Sequence, residues 1–351
     1  MKKLALLLAT VMAVSSLAGC GQKAASDGPK TADANTKSEN GAGGSSQGIK
    51  KYSLGSGSVG GNFYLIGGGI STAINNLLPE NFMITTETTG GSTANLTMIQ
   101  NGDAELGITM NSSLAEAEAG KADWTGGKPM DKLRGLIPLY PSYMTIYALK
   151  SSNINCLSDL NGKVVGLGSK GAAMDTSLRT IFEKLGITPK SIYNDGHAAT
   201  ASAVGDGTID AAILFSYPPF AAVAELEATK DLTFIGMTEE EQKKMMEIYS
   251  FYTPSTLPAG SYKGLTQDIN TISEWNMLVA SSAVSEEEGY MLAKTLLENN
   301  DTLAAIHESC KYALAENCLK SNIPLHAGTI KYLKEVGIEV PKELYPAEYK
   351  E

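Results

Sequence analysis

The chain has 351 residues, 28 Lys and Arg against 38 Asp and Glu, 43% hydrophobic residues, 36 Gly and only 19% charged residues. That is the profile of an acidic globular protein, neither disordered nor fibrous. A formal charge of -10 leaves no basic stripe to release counterions from a phosphate backbone, so nucleic acid is excluded as a partner. Arginine occurs only as Arg134 and Arg179, so an acidic ligand has to be held by backbone N–H groups, hydroxyls or lysine, without a bidentate guanidinium clamp.

Lys2 and Lys3 precede an apolar run over residues 4–14, followed by Ser15, Ser16 and Leu17-Ala18-Gly19-Cys20. The run is too short to span a bilayer and reads as a secretory leader. Its end resembles the bacterial lipobox, which implies a signal peptide over residues 1–19, cleavage before Cys20, and a lipid on that thiol and the new amino terminus. Residues 21–48 contain no Val, Ile, Leu, Met or aromatic residue, so residues 20–49 read as the lipidated cysteine and a flexible tether. At roughly 5–6 Å times the square root of its length, the tether holds the folded part about 30 Å from its anchor. Of the remaining cysteines, Cys156, Cys310 and Cys318, the last two are near enough to pair across a helix end; buried free thiols are the equal alternative. His197, His307 and His326 stand far apart in the chain, so neither a metal site nor a cofactor is expected.

The folded part opens on a strand at residues 52–54. A Gly-rich loop follows, Gly55-Ser56-Gly57-Ser58-Val59-Gly60-Gly61-Asn62, and then a helix marked by Ile66, Ile70 and Ile74, which Pro79 ends. A β-rich run at 82–89 leads into Gly90-Gly91-Ser92 and a short helix with Leu96 and Ile99. The same logic restarts at Asp159, with a strand at 164–167, a turn at Gly168-Ser169-Lys170-Gly171 and a helix bearing Leu178, Ile181, Phe182 and Leu185. Residues 98–108 align with 203–213 when Gly102 is set on Gly207, each reading helix end, glycine turn, acid, strand. Repeated β-loop-α units imply an α/β fold with parallel sheets. Residues 144–149 and 276–280 are expected to be strands crossing between two lobes, with tail helices at 290–297, 303–314 and 330–336. A chain of this size exceeds a single core, which gives lobe I as 50–147 plus 275–351 and lobe II as 148–274.

Each lobe presents a Gly/Ser loop opening a helix, where the first N–H groups lack internal partners and bind an anion without arginine. The residues expected to line the cleft are Ser58, Asn62, Phe63, Tyr64, Thr89, Gly90, Gly91, Ser92 and Asn95 in lobe I. Lobe II is expected to contribute Lys170, Gly171, Ala172, Met174, Asp175 and Thr176, and Asn111 and Tyr217 complete the set. Gly55-x-Gly57-x-x-Gly60 also matches the dinucleotide fingerprint, but Glu87 lies later than the usual spacing of about 20 residues and export removes the chain from nicotinamide pools. No Gly-x-Ser-x-Gly occurs, so the chain reads as a binding protein and not as an enzyme.

These motifs taken together resemble the TAXI class of solute-binding subunits of TRAP (tripartite ATP-independent periplasmic) transporters. The matching runs are Gly61-Asn62-Phe63-Tyr64-Leu65-Ile66-Gly67, Thr89-Gly90-Gly91-Ser92-Thr93-Ala94-Asn95-Leu96, Asp159-Leu160-Asn161-Gly162-Lys163 and Ile323-Pro324-Leu325-His326-Ala327-Gly328. The resemblance implies a two-lobed type II periplasmic-binding-protein fold, each lobe a mostly parallel sheet flanked by helices and hinged by crossover strands. It further implies a monomeric, membrane-anchored, extracytoplasmic receptor that traps a glutamate-like or other small carboxylate and delivers it to TRAP membrane subunits. The binding protein of an ABC importer with the same fold is the alternative. Gly171-Ala172-Ala173-Met174 stands where the family commonly carries Gly-Ser-Gly-Thr, so two hydroxyls are missing at the lobe II loop.

Overall fold

The structure, a computed structural model, describes residues 48–59 and 61–350. The expected leader, Cys20 and most of the tether lie outside the described residues. Among the described residues, no helix is long and apolar enough to cross a membrane.

The first half is built from β1 (Lys50–Gly55), α1 (Asn62–Leu77), β2 (Phe82–Glu87), α2 (Ser92–Asn101), β3 (Leu106–Met110) and α3 (Asn111–Ala119). β4 (Leu133–Leu149) then leads into β5 (Val164–Gly166), α4 (Ala173–Leu185), β6 (Ser191–Tyr193), α5 (His197–Gly205) and β7 (Ala211–Ser216). After α6 (Ala221–Glu227), β8 (Leu232–Phe234), α7 (Glu239–Ile248) and β9 (Thr253–Leu257), the chain returns along β10 (Ile269–Ser281) and ends with α8 (Glu286–Glu298), α9 (Asn300–Ile306) and α10 (Ala327–Glu335).

The strands follow the order β2-β1-β3-β10-β4-β7-β5-β6, with β8 on β4 and β9 on β10. The triplets β2-β1-β3 and β7-β5-β6 are parallel, as short β-loop-α units require, whereas β10 and β4 run antiparallel to their neighbours. The sheet is therefore mixed, and the expectation of mostly parallel sheets holds only for the outer triplets. β4 and β10 are longer than the strands expected at 144–149 and 276–280. Leu136, Ile137, Leu139 and Tyr140 of β4 join one core with α1, α8 and α10, while Met144, Ile146 and Ala148 join another with α4. β10 makes the same passage between Ile272 and Leu278. Where the two strands cross, their register shifts between Asn276 and Met277, a bulge that re-aims side chains.

The quasi-repeat is realised in detail. α2 and α5 are each followed by a glycine with positive φ, Gly102 at 85° and Gly207 at 72°. Glu105 Oε2 accepts from Ser53 N and Asp210 Oδ2 accepts from Val164 N, both at 2.8 Å. The two aligned acids thus do the same work, each satisfying the first strand of its triplet. The helix expected over 303–314 is interrupted instead: α9 stops at Ile306, and His307 begins a 3-10 turn over Glu308–Tyr312 by accepting Ser309 N on its ring at 3.3 Å. Cys310 and Cys318 are buried free thiols, and burial pushes Cys310 up to about 12.

Candidate functional site

Two loops of the first half are tied to one another through Asn95, which is fully buried. Its Nδ2 donates to Ser56 O and Ile108 O, each at 2.7 Å, and its Oδ1 accepts from Thr89 Oγ1 at 2.6 Å. A Cβ at Gly55 would come within 2.6 Å of that oxygen, so only glycine lets the amide in. Thr89 Oγ1 accepts from Gly91 N at 3.0 Å, and Gly91 caps α2 with φ of 100°. Ser92 Oγ accepts from Met110 N at 3.2 Å. The β1–α1 and β2–α2 loops are held together, with Thr89 N donating to Gly57 O at 3.4 Å.

α1 and α2 start from these loops without a side-chain cap and without an acid in the first turn, leaving unpartnered N–H groups and a partial positive charge. The helices nearby differ. Glu274 Oε2 accepts from Ser112 N of α3 at 2.8 Å, Asp175 Oδ2 accepts from Gly171 N before α4 at 3.0 Å, and Asp195 Oδ1 accepts from the α5 cap Gly196 N at 2.7 Å. Short α6 has the N–H of its cap, Phe220, donated to the Tyr262 hydroxyl at 3.0 Å. α7 and α8 carry capping boxes with Glu triplets, away from the loops.

A cavity of about 250 Å³ lies where α1 and α2 begin. The first half supplies Gly57, Ser58, Gly61, Asn62, Phe63, Gly91 and Met110, the crossing strands supply Tyr140, Ser142 and Asn276, and the second half supplies His197, Phe215, Ser216 and Phe220. Asn276 is 1% exposed; its Nδ2 donates to Tyr140 O at 3.0 Å and Ser142 Oγ at 2.7 Å, while its Oδ1 has no partner. The carbonyl of Tyr140 can only accept, which fixes the orientation of the amide. Burial raises the Tyr140 hydroxyl above its ordinary range, with the Asn62 side chain beside it acting in the opposite sense. Burial lowers His197 below its ordinary value, and its ring meets Phe220 edge-on at 5.6 Å. Ser216 Oγ lies beside the Tyr262 hydroxyl without reaching hydrogen-bond geometry.

Of the residues expected from the sequence, Ser58, Asn62, Phe63 and Gly91 line this cavity. Thr89, Ser92 and Asn95 stand behind it as the pins that shape it, and Gly90 shares their loop. Tyr64 is half-buried outside the lining. Asn111 opens α3, where its Nδ2 donates to Lys320 O at 2.8 Å, and Tyr217 packs edge-on against Tyr140 at 6.4 Å, also outside the lining. The second expected loop packs behind His197, whose ring a Cβ at Gly168 would approach to 3.2 Å, and none of Lys170, Gly171, Ala172, Met174, Asp175 and Thr176 is itself in the lining. The buried carboxylate of Asp175, paired with Arg179 Nε at 2.9 Å and bonded by Asn194 Nδ2 at 3.0 Å, already occupies the start of α4. Thr176 Oγ1 turns to Glu116 Oε1 of α3 at 2.9 Å. Sequence reasoning missed Met110, His197, Phe215, Ser216, Phe220 and the three residues of the crossing strands. His197 had a signal, since Gly196-His197 follows a strand and opens a helix as the first loop does.

A family model described as the NMT1-like family matches residues 54–337. The fold is similar to that of a TctC solute binding protein from Polaromonas, at 14% identity over 74% of this chain and 87% of that one with a TM-score of 0.50. Also similar are the periplasmic aliphatic sulphonate binding protein SsuA from Escherichia coli, at 14% identity over 82% and 83% with a TM-score of 0.47, and a histidine kinase sensor domain with similarity to periplasmic binding proteins, at 12% over 76% and 98% with a TM-score of 0.46.

Proposed function

The chain belongs to the NMT1-like family, and from that premise we propose that it is an extracytoplasmic solute-binding lipoprotein, anchored through Cys20, that closes over a small organic anion. The closing bodies are residues 50–147 with 275–351, and 148–274, moving about β4 and β10. The observation that carries this reading is the pair of uncapped helix starts, α1 and α2, beside a cavity whose other walls come from both halves. An anion there gains the partial charge of two helix dipoles and the N–H groups that no side chain satisfies. The TAXI-like motifs favour a TRAP permease as the acceptor of the solute; an ABC importer is the second reading, and a neighbouring gene for an ATPase instead of a large permease selects it.

Thermal melting of the full chain, unfolded and refolded to strip bound solute, tests the proposal against carboxylates, sulfonates and inorganic anions. A ligand at 100 times its dissociation constant adds about 2.7 kcal/mol, a rise of several degrees at about 2–4 °C per kcal/mol. A melting point that no anion moves removes the receptor reading.

A further inference from the structure

Resting on the receptor reading, we infer that the solute is a monoanion with an otherwise uncharged, apolar or aromatic body, and that the site rejects dicarboxylates and zwitterionic amino acids.

Three observations lead there. The first is the count of open anion positions. Around the cavity, α1 and α2 begin side by side with no acid in the first turn; α3 and α4 are met by the carboxyl groups of Glu274 and Asp175, and α5, also without a side-chain cap, has Asp195 on the N–H of its cap residue Gly196. One anionic group is accommodated, at the first-half wall. A second carboxylate reaching across to α5 finds the N–H of its cap residue Gly196 already taken by Asp195.

The second is the absence of formal charge in the lining: among the described residues it includes no Lys, Arg, Asp or Glu. His197 is the one imidazole among the described lining residues, and burial disfavours its charged form. Lys311, near Tyr217, is outside the lining and paired with Glu308 at 3.0 Å. A second anionic group on the solute would leave water without a cation to receive it, and an ammonium would find no carboxylate; both lose hydration without a replacement. Phe63, Met110, Phe215 and Phe220 instead offer apolar contact to a carbon skeleton.

The third is Asn276. Its Oδ1 lacks a partner, its residue is 1% exposed and it lines the cavity at the strand crossing. It is an acceptor for a neutral donor on the solute, such as a hydroxyl, placed between the anionic head and the apolar body.

Calorimetry on the full chain decides the matter with 2-hydroxy-4-methylpentanoate, L-leucine, glutarate and L-glutamate as probes. The hydroxy acid is expected to bind at least 100-fold more tightly than glutarate, glutamate or leucine. In Phe220→Arg, which adds a cation to the second-half wall, glutarate is expected to gain at least tenfold relative to the hydroxy acid, with the melting curve reporting that the variant is folded. Should that variant not fold, the ranking on the native chain stands as the test. Glutarate, glutamate or leucine within tenfold of the hydroxy acid on the native chain overturns the inference and leaves the receptor reading standing. Binding of an inorganic anion alone has the same effect, whereas an alkanesulfonate, a monoanion with an apolar body, agrees with the inference; binding of no anion at all overturns both.

Discussion

Asn95 shows how one amide shapes a pair of glycine loops from behind. Its three hydrogen bonds connect the ends of β1 and β3 to Thr89, all in a fully buried position. Asn95→Ala removes the amide donors to the carbonyls of Ser56 and Ile108 and leaves the Thr89 hydroxyl only Ser56 O, at 3.2 Å, to donate to; each unsatisfied buried group costs about 1–3 kcal/mol. We expect a loss of about 2–4 kcal/mol in urea unfolding, against about 1 kcal/mol for Ser92→Ala, which removes one bond to Met110 N. Equal losses in the two variants would deny Asn95 this special place. The sequence pattern marks both residues as polar groups in a glycine loop, and both read there as ligand contacts. The partner decides between contact and pin, and Ser56 lies 39 positions away from Asn95 in the chain.

At the scale of elements, the molecule divides its helix starts between two uses. α7 and α8 begin with Thr238 and Ser285, each answered by a glutamate three residues on, and with acids filling the first turn; these are complete by themselves. α1 begins at Asn62 with neither. Asn62→Asp places a carboxylate at that start in nearly the same shape, so it is expected to leave the fold unharmed or raise its stability by about 0.3–1 kcal/mol while abolishing anion binding. Melting temperature and calorimetry on one sample read the two effects, and retained affinity in the variant would take α1 out of the site. The β-loop-α units were legible in the sequence, and so was the alignment that sets Glu105 on Asp210; the capping boxes at Thr238 and Ser285 were not read there. Neither were the lengths of β4 and β10. Pro138 and Pro141 interrupt the pattern of β4, and a proline lacks the N–H that a central strand donates. The structure accommodates them beside the register shift opposite Asn276 and Met277. Tyr140, Ser142 and Asn276 reach the cavity from that crossing, so no local motif announces them.

For the molecule as a whole, the strand crossing also carries a buried acid whose titration should be visible in global stability. Glu274 is 1% exposed on β10, opposite Ser142 of β4, and accepts from Ser112 N of α3. Glu116 and Tyr252 are its titratable neighbours, and neither brings a positive charge. Desolvation outweighs the bonds from Ser112, and with the repulsion of Glu116 it raises the carboxyl from 4.5 to about 7. An unfolded chain therefore releases this proton near pH 4.5, whereas the native protein keeps it until about pH 7. Between those values the folded state binds more protons, so stability falls as pH rises, and the contribution present below pH 4.5 is gone above pH 7. A shift of that size corresponds to about 3 kcal/mol. Glu274→Gln retains an acceptor for Ser112 N and cannot ionise. Its stability relative to the native chain should therefore improve by about 3 kcal/mol from pH 4.5 to pH 8, while the titrations of all other groups cancel in the comparison. Urea unfolding of both chains across that range is the measurement. A difference that stays constant with pH would mean that Glu274 ionises in the native protein as readily as in the unfolded chain. The strand crossing would then tolerate a charge that its surroundings give no means of holding.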